Sequence, residues 1–222
     1  KRVQWIQARE EELLPVPYFH AVFTLPNELN ILALHKPKVV YDALFKAAWQ
    51  TVEAFTGKHN KAGMISILHT WGQNLNIHCI IPGGFVDRDG MWRLSKTKGK
   101  FLFPVKAMSK VYRAKYVALL RAADIEVEQS IYDALFKKEW VVYAKRPFGS
   151  PKSVVEYLGR YTHKIAISNH RILSINDNTI TISYKDYRID GKKKILTLSH
   201  EEFIRRFAMH ILPKRLVRIR HF

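Results

Sequence analysis

Apolar positions along this chain alternate between two periods, and each change of period marks an element. Apolar residues at Val40, Ala43, Leu44, Ala47, Ala48, Val52 and Phe55 recur every 3.6 residues and predict a helix over Val39 to Phe55. Val105 to Ala122 has the same period and carries Lys106, Lys110, Arg113, Lys115 and Arg121, so it predicts a basic amphipathic helix, with a weaker helical stretch on to Lys137. Glu28 to Leu34 predicts a helix, and residues 1–14 a polar helix ending before Pro15. Strand character runs over Val16 to Leu25, with His20 inside it as a half-buried polar residue, over Met64 to Trp71, Leu75 to Ile81, and Glu139 to Ala144. Alternation puts Asn76 and His78 on one face of the third of these strands, with Leu75, Ile77 and Cys79 on the other.

Residues 85–104 read as a loop or hairpin, turning at Asp87-Arg88-Asp89-Gly90, with a basic tip at Lys96-Thr97-Lys98-Gly99-Lys100. Short strands follow at Ile165 to Ile167, His170 to Ile175, Thr179 to Tyr184 and Lys194 to Leu198, turned by Asn176-Asp177-Asn178 and Asp190-Gly191-Lys192. Ser199 suits the cap of a last helix carrying Ile204, Phe207, Ala208 and Ile211, and the tail from Lys214 to His221 alternates basic and apolar residues as an exposed strand would. Short antiparallel strands with flanking helices indicate an α+β fold. With no repeat, low-complexity segment or clean linker, residues 1–222 read as a single domain, in which about 165–200 form a strand-rich C-terminal subregion.

The segment from Ser150 to Lys164 concentrates chemistry. Ser150 is a good N-cap and Pro151 suits the first helical position, so a helix starts there and sets Tyr157 and Tyr161 four residues apart on one face. Such a pair reads either as packing residues with wet tips or as two nucleophiles. Arg160, His163 and Lys164 surround them with positive charge, which favours a phenolate and binds phosphate.

Charge changes the picture further. The 37 Lys and Arg residues outnumber 19 Asp and Glu, a net +18, and the pI near 10.0 calls for a polyanionic partner. No apolar run is long enough for a membrane span, so nucleic acid is the expected partner and a cytoplasmic, nucleoid-associated location is expected. The single cysteine, Cys79, excludes an intramolecular disulfide framework and a cysteine-rich zinc site within these residues. The chain opens on Lys1 and closes on Phe222, and it is expected to be a fragment of a longer protein. Lys145-Arg146-Pro147-Phe148 and Tyr184-Lys185-Asp186-Tyr187-Arg188 each offer cations for phosphates and aromatics for bases, the pairing that single-stranded DNA binding wants. Trp71 and Trp92 read as core packing, with stacking on bases as the alternative.

Three blocks carry a family resemblance: Leu68-His69-Thr70-Trp71-Gly72-Gln73-Asn74-Leu75, His78-Cys79-Ile80-Ile81-Pro82-Gly83-Gly84, and Glu156-Tyr157-Leu158-Gly159-Arg160-Tyr161-Thr162-His163-Lys164. Supporting stretches are Leu14 to His20, Phe23 to Pro26, Lys100 to Val105, Tyr184 to Tyr187, Phe203 to Phe207 and Leu212 to Lys214. In this order they resemble the two-tyrosine rolling-circle insertion-sequence transposases of the HUH endonuclease class. The resemblance implies a central antiparallel sheet of RNA-recognition-like architecture, with a metal-binding strand in its middle and the tyrosine helix packed beside it. It implies a divalent metal, Mg²⁺ or Mn²⁺, acting as a Lewis acid on the scissile phosphate. It also implies a tyrosine, Tyr157 or Tyr161, that attacks phosphorus, keeps the 5′ side as a phosphotyrosine and releases a 3′ hydroxyl.

His78 matches the second histidine of the family's His-hydrophobic-His pattern and Gln73 the third ligand, but Asn76 stands where the first histidine belongs. An amide oxygen is a weaker ligand than a carboxylate, and His69 on the adjacent strand is a substitute candidate. The connection after Gln73 is shorter than the family's, and the cysteine-rich zinc segment that usually precedes this region is absent from these residues. Two functions therefore stand at this point. One is a single-stranded DNA endonuclease and strand transferase of a mobile element. The other is a catalytically impaired copy that only binds single-stranded DNA. Expected DNA contacts are Lys145, Arg146, Arg160, His163, Lys164 and Lys185.

Overall fold

The structure is a computed structural model that describes residues 4, 7, 11, 13–70, 75–94, 103–144, 148, 150, 153–155, 157, 167–186, 191–208 and 214–222. The chain divides into two compact units, Lys1–Tyr161 with Pro213–Phe222, and Thr162–Leu212. Among the described residues no helix is long and apolar enough to cross a membrane.

The first unit is built on a five-stranded antiparallel sheet. Its members are β1 (Tyr18–Thr24), β2 (Ile65–His69), β3 (Asn76–Pro82), β6 (Val142–Ala144) and β10 (Ile219–His221), in the order β10-β2-β3-β1-β6. The side-chain period of two gives the sheet two distinct faces. On one, Phe19, Ala21, Phe23, Leu68, Ile77, Cys79 and Ile81 are buried. The helices α1 (Asn30–His35), α2 (Pro37–Thr56), α3 (Val105–Arg121) and α4 (Gln129–Lys137) supply further core residues. The stripe predicted from Val40 to Val52 is wholly buried in α2. Phe23 meets Tyr112 of α3 edge-on at 5.1 Å, and Tyr112 meets Trp140 at 5.2 Å, a geometry aromatic pairs favour.

Differences from expectation have local causes. The helical stretch after Ala122 is interrupted, since α3 ends at Arg121 and α4 begins only at Gln129. Arg113 ties α3 to the far end of α4 by stacking on Phe136 and donating to the Phe136 and Lys138 carbonyls, so this cation is structural. The strand predicted from Glu139 starts at Val142, because Trp140 turns inward and its indole N–H donates to the Leu135 carbonyl at 2.9 Å. Residues 84–94 do form a hairpin, β4 (Gly84–Val86) with β5 (Trp92–Leu94), closed by Asp87 and Gly90 at φ 79°.

The tail is not simply exposed. It enters the sheet as β10, pairing Ile219 with Ile67 and His221 with Ile65, while the backbones of Met64 and Phe222 exchange hydrogen bonds. Arg220 points to the helical side, where it pairs with Asp42 and lies over the Phe45 ring at 4.2 Å. Arg220→Leu is expected to cost about 2 kcal/mol, from a lost charged hydrogen bond and a cation–π contact, both partly screened at this half-buried position. Thermal unfolding should register the loss as a Tm lower by roughly 4–8 °C; an unchanged Tm would mean that the anchor contributes nothing.

The second unit holds the antiparallel strands β7 (Ile172–Ile175), β8 (Thr179–Asp186) and β9 (Lys192–Ser199), followed by α5 (His200–Ala208). Ile180, Ile182 and Leu198 form its small core, with Ile172, Leu196 and Phe203 against them. Ser199 does cap α5, its hydroxyl accepting the Glu202 N–H at 3.2 Å. The strand predicted at 165–167 lies outside the described residues except for Ile167, which is in a bend.

Candidate active site on the open face of the sheet

The other face of the first unit's sheet brings the candidate residues together. Register places His20 opposite Ile80, Val22 opposite His78, Ile67 opposite His78, and His69 opposite Asn76. Directly opposed residues share a face, so His20, His69, Asn76 and His78 all project from the same side. Part of that face is apolar, where Tyr18, Ile67 and Ile80 pack with Val154.

Val154 comes from the segment predicted to carry the tyrosines. Residues 153–155 and 157 are helical, and the Ser150 hydroxyl accepts the Ser153 N–H at 3.3 Å, as an N-cap does. Val154 and Val155 are fully buried, and Tyr157, three residues beyond Val154, packs on the same cluster of the sheet. Its ring lies 4.8 Å from the His20 ring and 5.7 Å from Phe148.

Three polar atoms lie within hydrogen-bond reach of one another. The Tyr157 hydroxyl is 2.5 Å from His78 Nδ1 and 3.0 Å from His20 Nε2, and the two nitrogens are 2.9 Å apart. The imidazole planes are inclined by 23°, with centroids 5.0 Å apart. His20 is 5% exposed, so sequence reasoning, which read it as half-buried, underestimated its burial and its place beside the tyrosine. Alternation along β1 was the signal that could have found it, once β1 was paired with β3.

His69 and Asn76 adjoin this triangle. The His69 ring stands edge-on to that of His78 at 5.2 Å. Burial, reinforced by the nearby Arg218 charge, holds the His69 imidazole below its ordinary value, against an opposing hydrogen bond to Asn76. A group shifted down in this way is neutral at pH 7 and charges only as the pH falls. Arg218 donates from Nε to the Leu68 carbonyl at 3.2 Å, and burial lowers its own affinity for a proton. On the opposite face of β3, burial pushes the Cys79 thiol up to about 12, so it is not a competing nucleophile.

Of the expected metal donors, His69, Asn76 and His78 share this face. Among the described residues no three His, Cys, Asp or Glu side chains are arranged to hold an ion. His78 turns Nδ1 to the tyrosine and His20, and His69 is engaged with Asn76. Gln73 lies outside the described residues. Imidazoles with one amide are in any case poor partners for Mg²⁺, which prefers oxygen. Asn76→His would restore two imidazoles at i and i+2 on one face of β3. It is expected to raise Mn²⁺ affinity by about tenfold or more, measured by the loss of the free Mn²⁺ electron-paramagnetic-resonance signal. An equal affinity in both proteins would show that position 76 faces no ion.

Other expected site residues are distributed as follows. Tyr161, Arg160, His163, Lys164, Lys145 and Arg146 lie outside the described residues. Lys185 is described: it is exposed on β8 of the second unit, directly opposite Lys193 of β9. Two like charges in that register repel unless an anion lies between them. Trp92 is half-buried, its ring so close to Gly84 of the same hairpin that a Cβ there would overlap it, and Trp71 lies outside the described residues.

Comparison with known proteins identifies the class. Residues 63–222 match the family model described as "Putative transposase", and the chain belongs to that family. Over its whole length the chain is 39% identical to "Putative transposase y4qJ" of Sinorhizobium fredii, of which it covers 61%. It is 28% identical, over 99% of its length, to the "Transposase for insertion sequence element IS801" of Pseudomonas savastanoi pv. phaseolicola, of which it covers 57%. The chain thus spans about three fifths of the length of these relatives. Among solved structures, the conjugative relaxase TrwC in complex with OriT DNA shares 17% identity at a TM-score of 0.36, over 48% of this chain and 45% of that one. A complex of TrwC with mutant OriT DNA gives 13% and 0.42, over 85% of this chain and 71% of that one.

Proposed function

We propose that this region of the transposase is a two-tyrosine HUH-type strand transferase that cuts single-stranded DNA at the ends of a mobile element. The observation that carries the reading is the Tyr157 hydroxyl, held 2.5 Å from His78 Nδ1 on a sheet face that also bears His20, His69 and Asn76. A phenol is a weak nucleophile while protonated, and an adjacent imidazole is the group that relieves it of the proton. In the proposed step the phenol proton passes to His78 Nδ1 as the Tyr157 oxygen bonds to phosphorus. The bond from phosphorus to the 3′ oxygen breaks, the 5′ side stays on Tyr157, and the leaving 3′ oxygen takes up a proton. One phosphodiester replaces another, so the step balances with no oxidant and no external energy source. Tyr161 would act in a second transfer of the same kind, and Lys145, Arg146, Arg160, His163, Lys164 and Lys185 would hold the strand's phosphates.

The test is incubation of the protein with end-labelled single-stranded DNA carrying the ends of the element. The expected result is a covalent adduct whose tryptic peptide carries a nucleotide on Tyr157. Asn76 in the place of the family's first histidine favours one other reading, a DNA-binding module without strand cleavage. Tight binding with no adduct in Mg²⁺ or Mn²⁺ would establish it.

A further inference from the structure

Donor and acceptor roles among the three polar atoms follow from the histidine tautomers. The shortest edge, 2.5 Å, joins the Tyr157 oxygen to His78 Nδ1, and the edges to His20 Nε2 are 2.9 and 3.0 Å. In the strand-transfer step above the phenol gives its proton to His78 Nδ1. A neutral His20 protonated on Nε2 then points its N–H at the tyrosine oxygen and at His78.

We propose that His20 is a fixed hydrogen-bond donor to the nucleophile of this transposase, aligning the Tyr157 oxygen and stabilising the negative charge it acquires as its proton leaves. The inference rests on the strand-transfer reading above. His20 suits the task because it cannot easily reorient: it is 5% exposed, its ring 5.0 Å from that of His78, 4.8 Å from that of Tyr157 and 6.1 Å from that of Phe148. Its backbone pairs with Ile80 of β3, and the next three residues of β1 also pair with β6. A preorganised donor in a water-poor setting acts on charge developing in the transition state without reorganising. Nothing in the sequence motif around Tyr157 points to this residue, which lies 137 positions away in the chain.

The proposal separates donation from mere packing through two substitutions. His20→Gln carries an amide N–H at about the reach of Nε2, while His20→Leu keeps comparable bulk without a donor. In single-turnover adduct formation on single-stranded DNA, His20→Leu is expected to be slowed about 100-fold and His20→Gln by less than about tenfold, the range measured when one preorganised donor is removed. Dissociation constants for the DNA should stay within about twofold for both, because His20 meets the tyrosine rather than the strand. Equal slowing of the two variants, or equal rates to the unaltered protein, would overturn the proposal while leaving the function standing.

A second measurement reads the bond without turnover. In protein labelled with ¹⁵N at histidine, the His20 Nε2–H signal should be observable at neutral pH, protected from exchange, and should shift in Tyr157→Phe. A His20 found protonated only on Nδ1 would overturn the assignment. Absence of any adduct from the unaltered protein, with the nitrogen signal as expected, would instead sink the strand-transfer reading and take the catalytic role of His20 with it.

Discussion

Tyr157→Phe is expected to remove the covalent protein–DNA adduct of the first strand cleavage, a loss of roughly 10⁴-fold or more in rate, as for removal of other enzymatic nucleophiles. The phenylalanine ring preserves the contacts with Phe148 and the sheet cluster, so the fold should survive. It leaves His78 Nδ1 without the phenol donor, and a stability loss of about 1–2 kcal/mol should accompany the change. Tyr161→Phe should permit the first adduct and block the second transfer, and the double variant should form neither. An adduct retained by the double variant would mean that another residue attacks phosphorus. Denaturing gels of the labelled strand decide between these outcomes, with circular dichroism confirming that each variant is folded.

Binding should respond to salt almost as strongly. The net charge of +18 is spread over the sequence rather than confined to one tail, and cations that neutralise phosphates release counterions when DNA binds. For about six phosphate contacts on a single strand, raising salt from about 50 to 200 mM should weaken affinity roughly 300-fold. Fluorescence anisotropy with a labelled oligonucleotide gives the slope directly. A slope near zero would exclude both the transferase and the binding-module readings, since both hold the strand by its phosphates. Arg113 and Arg220 should contribute little to that slope, because their guanidiniums are already engaged with the ends of helices, an aromatic ring or Asp42.

The elements with long periodic patterns were legible in the sequence. The stripe from Val40 to Val52 and the alternation of Asn76, Ile77 and His78 state their faces outright, and the structure has both as read. The tyrosine segment was legible from its Ser150 cap and its spacing, as far as Tyr157. What one-dimensional pattern does not contain is register between distant strands. His20 becomes a site residue only because β1 pairs with β3 in a register that sets Val22 against His78. A shift by one residue would have turned His20 to the opposite face. The tail from Lys214 was misread for a related reason. Basic and apolar residues alternate on any strand with two different surroundings, and only pairing with β2 shows that Arg220 faces Asp42 and Phe45 rather than water.

The return of the chain as β10 has a consequence for damaged copies of the gene. Residues 162–212 separate the tyrosine segment from the strand that closes the sheet beside β2. Ile219 of that strand belongs to the cluster on which Tyr157 rests. A premature stop or frameshift anywhere between codons 162 and 218 would still leave His20, His78, Tyr157 and, at its margin, Tyr161 encoded. Its product would nonetheless present the edge of β2 bare, with a row of unpaired backbone groups ready to join other chains. Such copies would accumulate as insoluble or rapidly degraded protein rather than as weak enzymes, so intact tyrosine codons alone are no sign of a functional element.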